Sequence, residues 1–120
     1  MNYKQLINAY VTLTRMGGAQ MEVKTAMTLY KVRKTLEPYY QFCVEREEAI
    51  MDRHEGRIVD GNVTFAKAED AVSAQTELNE LYLTEVEDNF IPVEVQMDSL
   101  KECTLSLNDV EALDGIIALI

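Results

Sequence analysis

The chain has no tryptophan, one histidine, two cysteines and two prolines in 120 residues, and each scarcity removes a class of protein. A single imidazole, His54, leaves nothing from which to build a histidine-rich metal centre, and no catalytic triad is assembled around it. Cys43 and Cys103 lie sixty positions apart, giving neither a disulfide framework nor a Cys-x-x-Cys knuckle, which predicts a reducing compartment. The longest apolar run, residues 116–120, is far below the roughly 18 to 20 residues that a membrane-spanning helix needs. The start Met1-Asn2-Tyr3-Lys4-Gln5 lacks the basic and apolar regions of a secretory signal, so an intracellular, cytoplasmic protein is expected. With 48% hydrophobic and 27% charged residues, and no linker, repeat or low-complexity tract, residues 1–120 are expected to form a single domain that folds on its own.

Charge is plentiful but uneven. The net charge is −10, yet residues 1–44 carry six cations against two acids, so residues 45–120 hold −14. Such a surface repels nucleic acid and membrane phosphate and favours a basic protein partner through steered association. The expected partner-binding residues are Glu45, Glu47, Glu48, Asp52, Glu69, Asp70, Glu77, Glu80, Glu85, Glu87 and Asp88. The plain alternative is a solvated surface that keeps the protein soluble.

Apolar spacing of three and four predicts a helix over residues 3–16, stopped by Gly17-Gly18, which suits a left-handed C-cap. A long helical arm follows over about residues 21–55, with Val23, Ala26, Met27, Tyr30, Leu36, Tyr40, Cys43, Ile50 and Met51 on its period. Pro38 predicts a kink or restart near Glu37, which would expose Tyr39, Tyr40 and Phe42. The residues around Asp60-Gly61 predict a small hairpin. A helix over about residues 66–87 should bury Ala71, Val72, Gln75 and Leu78, with Glu69, Asp70, Glu77 and Glu80 facing away. Alternation after Pro92 predicts an edge strand, and Ser106 with Asp109 caps a last helix through Leu113, Ile116 and Ile117. The expected fold is α+β and predominantly helical: a bundle of about three longer helices, a small hairpin, an edge strand and a short C-terminal helix.

Chemistry-bearing patterns are few. His54-Glu55 starts like a zincin motif, but Ile58 stands where the second histidine is required, so His54 reads as a surface residue at a helix end. Glu85, Glu87 and Asp88 lack the alternating donors of a calcium loop. Cys43 on an apolar face reads as a small buried hydrophobe. Lys24, Lys31, Arg33 and Lys34 form the only basic stretch and the only candidates for a nucleotide pocket, while the nearby tyrosines fall on core-facing positions. No nucleophile, base and orienting group come together, so no enzyme, cofactor or metal is expected.

The pattern Leu36-Glu37-Pro38, Asp60-Gly61-Asn62, Leu78 with Leu81, Val93 with Val95 and Ser106-Leu107-Asn108-Asp109 resembles the small uncharacterised proteins encoded by phages and prophages of Gram-positive bacteria. The resemblance spans about residues 23–117 and implies a mobile-element origin and life inside a bacterial host. Joined to the charge, it gives the expectation of an acidic inhibitor of a host defence or nucleic-acid-handling protein. Two alternatives stand beside it: a virion-assembly accessory or chaperone whose long helical arm and apolar tail 115–120 pack against copies of itself or against structural proteins, and a small-nucleotide sponge.

Overall fold

The first helix, α1 (Tyr3–Met16), is started by a reciprocal cap. The Gln5 amide donates to Asn2 Oδ1 and the Asn2 amide to Gln5 Oε1, both at 2.9 Å. Leu6, Ala9, Leu13 and Met16 then form its buried stripe. Gly17 ends it in a right-handed conformation (φ −60°), not the expected left-handed cap, with its amide bonded to Thr14. The computed structural model describes residues 1–120 and shows the expected α+β, predominantly helical architecture.

Helix α2 (Val23–Arg53) runs unbroken through Pro38, contrary to the predicted restart. Its buried row Leu29, Leu36, Cys43 and Ile50 repeats every seven residues, with Val32 between. Pro38, two positions from Leu36, lies about 200° round the helix from it, on the exposed side. The Lys34 carbonyl loses its helical donor there, and both Lys34 and Pro38 are exposed. An interior proline costs about 3 kcal/mol, whereas burying each large apolar side chain of the row gains about 1.5–3 kcal/mol. The row therefore holds the helix together. Tyr39 and Tyr40 stay half-buried: Tyr40 stacks on Tyr10 at 4.1 Å between ring centres, and Tyr39 meets Phe90 edge-on at 5.7 Å. Val23, Met27 and Tyr30, expected inside, are exposed because the row that packs on α1 lies on another side of the helix.

Strands β1 (Arg57–Val59) and β2 (Asn62–Thr64) form the expected hairpin, with Asp60 (φ 51°) and Gly61 (φ 80°) both left-handed at the turn. Helix α3 (Ala68–Leu83) is shorter than expected and packs against the second half of α2, where Ile50, Ala74 and Leu78 make a small core. Val72 is 67% exposed instead of buried.

The C-terminal segment differs most. After a 3-10 turn (Met97–Leu100), α4 (Leu107–Leu113) stops four residues short of Ile117. Gly115 (φ 85°) turns the chain, and β4 (Ile117–Leu119) pairs in parallel with β3 (Val93–Val95), which is an edge strand as expected, in a sheet of two. A left-handed glycine followed by two β-branched isoleucines favours the strand over the helix. Ile116 and Ile117 join Leu6, Leu13, Leu36, Val95 and Leu113 in the main core. The tail thus closes the chain's own core. The N-terminus is strapped to the segment after α3: the Val86 amide donates to the Met1 carbonyl at 2.9 Å and the Tyr3 amide to Thr84 at 3.1 Å.

Replacing Pro38 restores an amide donor at an exposed helical site. Pro38→Ala is expected to raise stability by roughly 1–3 kcal/mol in urea unfolding, the helical gain being partly offset by a more flexible unfolded chain; a loss of stability would show that Pro38 supports the fold.

Candidate functional site

The eleven expected partner-binding carboxylates separate into two groups by helical geometry. On α2, Cys43, Glu47, Ile50 and His54 follow one another at steps of four, three and four, which places all four side chains on the side facing α3. Glu47 therefore leaves the candidate surface. It is half-buried and accepts a hydrogen bond from the Tyr82 hydroxyl at 2.8 Å. Burial and then the Glu47 charge push the Cys43 thiol up to about 11, and burial with the Glu47 hydrogen bond also raises the Tyr82 hydroxyl. Cys43, fully buried, is the inert hydrophobe its position suggested.

Glu77 leaves it too. One turn from Ala74 and beside Leu78, it is not on the solvent side of α3: it bonds His54 Nε2 at 2.8 Å and Arg53 at 3.3 Å. His54 is accordingly no free surface histidine but a half-buried link between the end of α2 and α3. Asp70 is half-buried, and Glu85 receives the N-terminal amine at 3.0 Å.

Glu45, Glu48 and Asp52 each lie two positions from Cys43 or Ile50, hence about 200° round the helix from the core. They are exposed on the side of α2 that faces away from α3. Glu80, two positions after Leu78, and Glu69 are exposed on α3. Glu87 and Asp88 are exposed in the loop that follows. None of these seven takes part in a salt bridge. The single acidic face that the sequence suggested is thus two acidic sides of one α2–α3 arm.

A polar cleft of about 860 Å³ opens between α1, α4 and the loop after α3, lined by Asp88, Asn8, Asn108, Glu111 and Asp114 among others. Sequence reasoning did not find Glu111 and Asp114, because only the packing of α4 on α1 brings them to Asp88. In its wall Asp109 pairs with Arg15, ninety-four positions away, and accepts from the Ser106 amide at 2.9 Å. That amide bond and then Arg15 hold the Asp109 carboxyl below the ordinary carboxylate range. Of the four basic residues of α2, Lys24, Lys31 and Lys34 share one exposed side of the helix, where Lys34 pairs with Glu37, while Arg33 stands apart, 6.0 Å over the Tyr30 ring. No helix is long and apolar enough to cross a membrane.

Comparison with known protein families, characterised proteins and solved structures finds no match.

The two classes of carboxylate are separable by measurement. Glu47→Ala, which strands the Tyr82 hydroxyl, is expected to cost about 1–2 kcal/mol in urea unfolding, whereas Glu45→Ala should stay within about 0.5 kcal/mol. Equal effects would mean that Glu47 has no structural part. Because Asp109 is depressed in the folded state, its contribution to stability is present above the ordinary carboxylate pKa, near about 4, and is lost as the pH falls through its lower folded value. The gap between wild type and Asp109→Asn should accordingly close in acid; a gap that is constant down to low pH would refute the coupling.

Proposed function

We propose that the chain is a non-enzymatic interaction protein of the kind phages encode, and that its acidic arm occupies a basic, nucleic-acid-handling site on a host protein. One observation carries this reading: exposed carboxylates free of salt bridges stand on opposite sides of the α2–α3 arm, Glu45, Glu48 and Asp52 on one and Glu69 and Glu80 on the other. A duplex presents its phosphates in the same way, as negative charge on both sides of a rod, and a cleft shaped to hold a duplex is lined with cations on facing walls. The net −14 of residues 45–120 supplies the long-range attraction. A role in virion assembly rested on the long helical arm together with a free apolar tail, and the tail no longer supports it, because Ile116 and Ile117 are buried in the main core. A nucleotide sponge rested on a cationic pocket, whereas Lys24, Lys31 and Lys34 stand on an open, exposed side of α2.

The test is a tagged pull-down from bacterial lysate, with captured proteins identified at low salt, at high salt and with added double-stranded DNA. The expected capture is a nucleic-acid-binding protein that either high salt or DNA releases, and that the triple variant Glu69→Gln, Glu80→Gln, Glu87→Gln binds about tenfold or more weakly. Capture that survives both salt and DNA, or that the variant retains in full, would overturn the proposal.

A further inference from the structure

We infer that the solvent side of α2 is a self-complementary surface that docks a second copy of this chain in antiparallel orientation, with the two-fold axis over Pro38. The residues 24, 31, 38, 45 and 52 repeat every seven positions along α2 and are all exposed. Their identities are Lys24, Lys31, Pro38, Glu45 and Asp52: two cations, a neutral centre and two anions. Pro38 is the midpoint of α2, so an antiparallel copy brings residue i opposite residue 76 minus i. Lys24 then faces Asp52 of the second copy and Lys31 faces its Glu45, at about 21 and about 10 Å from the axis, and both pairs recur by symmetry. None of the four charges has a salt-bridge partner within its own chain.

The same register sets the exposed Met27 opposite Ala49 and the exposed Tyr30 opposite Arg46, while the two Pro38 rings, which have no amide to leave unbonded, meet at the axis. A seven-residue row drifts by about 20° per repeat on a straight helix, which two neighbouring helices absorb by crossing at about 20°. Charge complementarity selects this occupant. A basic partner would match only the second half of the face and an acidic one only the first, and a parallel copy would set like charges against each other. An antiparallel copy matches both halves at the same spacing. The contact takes up Glu45 and Asp52, so a second copy and a captured host protein exclude each other on this side of α2, while Glu69, Glu80, Glu87 and Asp88 stay exposed in either case.

Sedimentation velocity of the purified full chain tests it without any other protein. A dimer is expected at low salt, dissociating at several hundred millimolar salt, where charges more than a few ångströms apart are screened. Lys24→Glu with Lys31→Glu, and separately Glu45→Lys with Asp52→Lys, should each weaken self-association by about tenfold or more, since every cross-copy pair becomes repulsive. An equimolar mixture of the two variants should form a heterodimer, and the fourfold swap should restore the homodimer. All four positions are exposed, and each variant is expected to keep its helix, which circular dichroism checks. A wild type that is monomeric at low salt and high concentration, a dimer indifferent to the reversals, or a mixture that fails to associate would each overturn the inference.

Discussion

The structure depends on one unbroken helix. Leu29, Val32 and Leu36 in the first half of α2 pack on α1 and the C-terminal segment, while Ile50 in the second half packs on α3. The two cores share no other continuous element. If α2 broke at Pro38, only the contact of α1 with α3 and the strap from Met1 and Tyr3 to residues 84–86 would tie the two cores, and Tyr10 on Tyr40 together with Tyr3 against Phe42 would lose their register. The contest is between a local backbone penalty of about 3 kcal/mol and a seven-residue row of buried side chains whose combined burial is several times larger. The row wins because Pro38 falls on the opposite side of the helix, where its ring displaces no core atom.

Around this spine, polar contacts do the long-range stitching. Arg15 and Asp109 join α1 to α4, Tyr82 and Glu47 join α3 to α2, and Glu77 gathers Arg53 and His54 where α2 ends. Each is half-exposed on at least one side, so each adds specificity of placement more than stability. Their joint effect is to remove Glu47, Glu77 and Asp109 from the pool of interacting carboxylates. Net charge counted along the chain overstates the charge available to a partner for this reason.

What was legible in the sequence was local. The turn at Asp60-Gly61 needs two adjacent residues that accept left-handed φ, and the cap of α4 needs only Ser106 and Asp109, so both follow from neighbours. The inward placement of Glu47 was also present in the spacing from Cys43 to Ile50, but reading glutamates as solvent residues by type concealed it. The parallel pairing of β3 with β4 was not legible: it joins three-residue strands more than twenty positions apart, and short apolar runs suit helix and strand alike. Pro38 misled because a proline is weighed locally, whereas the burial that overrides it is tertiary.

The surface of α2 carries a cost that the fold does not require. Glu45 with Glu48, and Glu48 with Asp52, are like charges at spacings of three and four, each destabilising an isolated helix by a few tenths of a kcal/mol. At the other end Lys24, Lys31 and Lys34 are concentrated on the same exposed side, again unmixed with acids apart from Glu37. A surface shaped for solubility alone would intersperse the two signs, turning those repulsions into weak attractions at no loss of net charge. With Arg46 and Arg53 as the exceptions in the second half, the partial segregation along one 31-residue helix gives the two ends fields of opposite sign and makes them complementary to one another. A partner that presents opposite charge is what converts that arrangement from a weakness of the isolated chain into a source of affinity.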